Sequence, residues 1–84
     1  MLSDLERLEI AKFAEIHGLS FKETMVLPGI FEKVAGVAHK SLRVVINWAI
    51  YSNPELAKYI VSLAKEVVEN MGDEMDELIA QGGK

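Results

Sequence analysis

Apolar residues recur along this chain at helical spacing, and the pattern is interrupted by caps and prolines, not by hairpin turns. From Pro54 to Met71 the residues Leu56, Ala57, Ile60, Leu63, Ala64, Val67 and Val68 share one face. Glu55, Lys58, Ser62, Lys65, Glu66 and Glu69 share the other. That is the spacing of an amphipathic helix with one dry side. Asn53-Pro54-Glu55 opens it with an N-cap, a proline where no N–H is needed, and an acid at the positive end of the dipole. Gly72-Asp73 predicts a stop and a restart, leaving a short acidic helix to Ala80 and a frayed tail at 81–84.

Two further starts are written as capping boxes. Ser3 with Glu6, and Ser20 with Glu23, place a hydroxyl and a carboxylate where each satisfies an orphan amide of a first turn. The first box predicts a helix to about His17, ended by Gly18 in the left-handed region. The second predicts a helix from Phe21 that Pro28 stops, because proline forbids the helical hydrogen bond and restricts Leu27 before it. A third short segment then spans Pro28 to Ala35 and closes at Gly36.

The stretch from Val34 to Tyr51 is the most hydrophobic, and its strongly polar side chains are His39, Lys40, Arg43 and Asn47. A helix from about Val37 or Ser41 to Tyr51 has apolar residues pointing nearly all round, which calls for protein on every side. Trp48 is expected to be largely buried, with Leu42, Val45, Ile46, Ile50, Ile60, Leu63 and Val67 in the core. The fold expected is all-α: a compact bundle of four to six short helices around a central helix at about 41–51, one domain over 1–80. With 84 residues there is little material to surround such a helix. Helix 1 also carries apolar residues on more than one side. The bundle is therefore expected to be completed by oligomerisation, most simply a twofold dimer.

Composition removes several classes of chemistry. There is no cysteine, so disulfides, zinc–thiolate sites and thiol nucleophiles are excluded. No apolar run approaches the roughly 20 residues that span a bilayer, and the first residues lack the basic-then-apolar order of a signal peptide. The expectation is a soluble, cytoplasmic protein with no membrane association and no cofactor. The net charge of −4 sits entirely in the C-terminal part: residues 1–52 hold six acids and six bases, whereas 53–84 hold seven acids and three bases. No acid occurs between Lys33 and Pro54.

Candidate contacts for nucleic acid or an acidic partner are Lys22, Lys33, His39, Lys40, Arg43 and Asn47. On one helix, Lys40, Arg43 and Asn47 would share a face. They would meet phosphates, keep one edge of the helix wet, or pair with the six acids between Glu66 and Glu77. Ala14 to Ser20 is spaced like the first corner of a helix-turn-helix, but the unit, at about 11–27, is degenerate: Thr24 occupies a packing position and Pro28 shortens the would-be recognition helix. His17 and His39 have no partner at a metal or catalytic spacing. Asp73, Glu74, Asp76 and Glu77 lack the calcium-loop pattern and suit a helix N-terminus. No nucleophile elbow or phosphate-cradling loop is present. The expected function is a non-enzymatic, homo-oligomeric protein–protein interaction domain of adaptor or regulatory type. The alternative is a DNA-binding transcriptional regulator that uses the degenerate helix-turn-helix, with phosphate contacts from Lys40 and Arg43.

Overall fold

Four α-helices and one π-helical turn make up the protein in a computed structural model, which describes residues 2–82, with side chains from Leu2 to Met71. They are α1 (Asp4–Ile16), α2 (Phe21–Ala38), α3 (Leu42–Asn47) running into the π-helical turn Trp48–Ser52, and α4 (Pro54–Gly82). Among the described residues there is no strand, and no helix is long and apolar enough to cross a membrane. The all-α expectation holds.

The caps form as the sequence writes them. In the first box the Glu6 amide donates to Ser3 Oγ at 3.1 Å and the Ser3 amide to Glu6 Oε1 at 2.8 Å. Ser20 and Glu23 repeat both distances. Gly18 adopts φ +61°, and the Leu19 amide reaches back to the Ala14 carbonyl at 3.0 Å. A Cβ at this φ would be strained, which is why glycine ends α1. Asn53 Oδ1 accepts the Leu56 amide at 3.0 Å and opens α4.

Both capping glutamates are held below the ordinary carboxylate range. For Glu6 the main cause is the Ser3 amide, then the Ser3 hydroxyl, with the Arg43 charge adding to them. For Glu23 it is the Ser20 amide, aided by the Lys65 charge. A carboxylate whose pKa falls on folding contributes stability that is complete above its unfolded value, about 4.3, and is lost as pH drops through the folded value. Acid titration followed by helical circular dichroism should therefore show a weakening below about pH 4.3 that is smaller in Glu6→Gln/Glu23→Gln. An identical acid limb in that double variant would remove the caps as its cause.

The core is built from Ile10, Phe13 and Ala14 of α1; Leu27, Ile30, Phe31 and Ala35 of α2; Val45, Ile46 and Ala49 of the third helix and its turn; and Ala57, Ile60 and Ala64 of α4. The Phe13 and Phe31 rings meet edge to face at 5.3 Å. Of the expected core residues, Val45, Ile46 and Ile60 are fully buried, while Leu42, Ile50, Leu63 and Val67 are partly buried against the cluster. The dry and wet faces of α4 fall as their spacing requires.

Three expectations are corrected. Helix α2 is continuous through Pro28 to Ala38 and closes at His39, which takes the left-handed conformation at φ 55°. Leu27, Ile30 and Phe31 flank the proline and are all buried, and their burial outweighs the lost hydrogen bond. Helix α4 likewise carries its backbone past Gly72 to Gly82, since an interior glycine costs only about 1 kcal/mol. The helical backbone includes Gln81 and Gly82, and residues 83 and 84 of the tail expected at 81–84 lie outside the described residues.

The third correction concerns Trp48. Helix α2 and the segment 41–51 each pack against all the other helices of the bundle. The segment 41–51 buries one face, through Val45, Ile46 and Ala49, and turns Val44, Trp48 and Tyr51 outward. Trp48 is thus 37% exposed, against the expectation of burial. At its C-terminal end the helix widens into a π turn, with the Asn53 amide donating to the Trp48 carbonyl at 2.7 Å. Pro54 drives Asn53 out of the helical region (φ −135°, ψ 86°), so its amide reaches one residue further back than α geometry allows.

Candidate functional site

Among the described residues, two of the concave features lie between helices. The larger separates the C-terminal half of α2 from α4 and has a volume of about 270 Å³. Its α2 wall is Ile30, Val34 and Val37, at the i, i+4, i+7 spacing of one face, with Ala38 beyond. Its α4 wall is Tyr59, Leu63 and Val67, stepped by four residues. Lys33 is its one charged lining residue. Val37 is 75% exposed and Tyr59 55% exposed, so the rim of the groove is apolar surface open to water. Scattered apolar side chains on a surface are ordinary, but a concave set rimmed by a lysine has the character of a contact surface.

The second feature is a cleft of about 120 Å³ between α1 and α3, lined by Leu5, Glu6, Glu9, Arg43, Ile46 and Asn47. Glu9 Oε2 is shielded from solvent there and has no hydrogen-bond partner. Arg43 lies near enough to Glu6 to help hold that carboxylate ionised. Along the same seam Lys12 Nζ donates to Tyr51 Oη at 2.7 Å and lies 5.1 Å from the ring centroid. A nitrogen so close to the hydroxyl sits beyond the ring edge, not over its face, so the contact is a hydrogen bond and not a cation–π pair. It raises the Lys12 pKa above its ordinary value.

The six candidate contact residues do not form one patch. Lys22 is half-buried in the first turn of α2, and His39 caps the other end of that helix. Lys33 lines the groove. Lys40 precedes the N-cap Ser41 and so is not on the helix that carries Arg43 and Asn47, which corrects the shared face expected for the three. Arg43 and Asn47 do share a face, and it looks into the cleft beside Glu6 and Glu9 of α1. The described acids beside Arg43 are thus Glu6 and Glu9; the acids at 73–77 have side chains outside the described residues. His17 stacks its ring at 4.5 Å on Phe13 at the end of α1. Among the described residues no three candidate metal ligands come together.

The groove itself escaped sequence reasoning. Its signal was present in Ile30, Val34 and Val37, but that spacing is visible only when α2 is read as continuous through Pro28. Compared with known proteins, the chain matches no family model, no curated protein and no solved structure.

Proposed function

We propose that this chain is a small, non-enzymatic protein–protein interaction domain that works as a homo-oligomer, with the α2/α4 groove as its docking surface. The observation that carries the reading is the groove: Val37 and Tyr59 stand largely in water beside Val34, Leu63 and Val67, which are only partly covered. Burying an exposed large apolar side chain contributes about 1.5–3 kcal/mol, so covering a few at one site is enough to offset the cost of association. The non-enzymatic part of the reading draws on the dispersal of the ionisable groups, since no polar or charged residue is buried among the described residues.

The DNA-reading alternative draws less support. The most exposed side chains in the first turns of α2 are Phe21 and Met25, which offer neither charge nor hydrogen bonds to a base edge. Glu23, in the same turn, carries the wrong sign for phosphate and is tied to Ser20 and, at 3.5 Å, to Lys65.

Sedimentation velocity over a concentration series tests the proposal. A dimer or higher species that gains weight with concentration, reaching a mass of at least twice 9.3 kDa, is the expected result. A strict monomer at high micromolar concentration would overturn it.

A further inference from the structure

We propose that the groove between α2 and α4 receives the distal part of α4 from a second copy of this chain, each copy giving its helix end and taking its partner's. This rests on the homo-oligomer reading and names the segment that does the docking.

Helix α4 is longer than the body it packs on. Its 29 residues reach about 43 Å at 1.5 Å per residue, against about 27 Å for the 18 residues of α2. The first turn of α2 meets α4 at Lys65, through Glu23. The fully buried residues of α4 among those described, Ala57, Ile60 and Ala64, all precede that point. From there the helical backbone continues to Gly82.

The sequence of that continuation is not the sequence of a solvated spacer. Met71, Met75 and Leu78 recur at i, i+4, i+7 and prolong the row of Ala64 and Val67. Asp73, Glu74, Asp76 and Glu77 lie between them in the sequence. The groove is the complement of such a segment: aliphatic walls, a lysine at the lip, and a chain without acids from Lys33 to Pro54. Methionines also adapt to a partner surface better than branched side chains do.

The geometry closes with twofold symmetry. Leu63 and Val67 belong to the groove, and the distal part of α4 begins where they end. An antiparallel partner helix crossing there therefore brings its own distal part over the groove, and both copies make the same contact.

The test is sedimentation equilibrium at low salt on full-length wild type, Val37→Glu, Lys33→Glu and Glu74→Lys, with circular dichroism to confirm that each variant is folded. Val37 and Lys33 are exposed, so their replacement should leave the fold intact. The wild type should be dimeric, and each single variant should weaken the dimer at least tenfold. An equimolar mixture of Lys33→Glu and Glu74→Lys should associate more tightly than either alone, because only the mixed pair matches charge at both grooves. Dimers indifferent to all three changes would overturn the groove as the contact and leave the homo-oligomer reading standing. Sensitivity to Val37→Glu without recovery in the mixture would overturn the named segment. A monomeric wild type would overturn both.

Discussion

Phe31→Ala is expected to cost about 3–5 kcal/mol, the usual range for emptying a buried aromatic site. Phe31 has no exposed surface, and it packs edge to face on Phe13, which has none either. Beside them sit Leu27 and Val45, also fully enclosed, so little nearby can move into the space. At roughly 0.05–0.15 kcal/mol per residue, a domain of 84 residues has a total stability of about 4–13 kcal/mol. The loss is therefore about a quarter or more of the whole, and with a total at the low end of that range the variant should lie near its unfolding midpoint in water. Urea unfolding followed at 222 nm measures this as a lowered midpoint with an unchanged slope. Phe13→Ala in the same background should cost less than it does alone, because the two rings share one contact. A loss under about 1 kcal/mol for Phe31→Ala, in the range of surface changes, would mean that the ring is not enclosed.

The parts of this fold that were legible in the sequence are those decided within four residues. The boxes at Ser3 and Ser20, the left-handed Gly18 and the Asn53 cap each depend on a hydrogen bond between near neighbours, so residue type and spacing specify them. The face of α4 was legible for a similar reason: its polar and apolar residues are segregated, and only one side can be dry. The segment 41–51 lacks that segregation. When Val44, Val45, Ile46 and Trp48 stand on different sides of one helix, composition does not say which faces the core. Packing against α1 and α2 chose Val45 and Ile46 and left Trp48 half outside.

The groove was illegible on different grounds. It depends on where two helices separated by fifteen residues of other structure come to lie, and no local pattern fixes that. The electrostatic candidates failed in the same way. Six polar residues close in sequence or sign were dispersed by the fold to a helix start, a groove, a helix end, a loop and a cleft. What survives of the original cluster is the pair Arg43 and Asn47, which lines a cleft with Glu6 and Glu9 of α1.

Pro28→Ala is expected to stabilise the protein, by about 1–3 kcal/mol. Proline inside a helix removes the bond from its nitrogen to the carbonyl four residues back and crowds that carbonyl, at a cost of about 3 kcal/mol. Pro28 is the eighth residue of α2, well past the first turn where it would be harmless. Alanine restores the donor to Thr24 and has the best helix propensity. The gain is reduced by two smaller effects. Pro28 is half-buried, so some apolar contact is lost, and the freer unfolded chain of the variant recovers entropy that proline had removed. Neither is large enough to reverse the sign if α2 is straight by preference. The same urea titration reads the outcome. A rise in midpoint would show that the flanking burial of Leu27, Ile30 and Phe31 carries the helix through a residue that opposes it. A fall would mean that the bend imposed by proline is what lays Val34 and Val37 beside α4. In that case the groove would owe its shape to the residue that local rules read as the end of the helix.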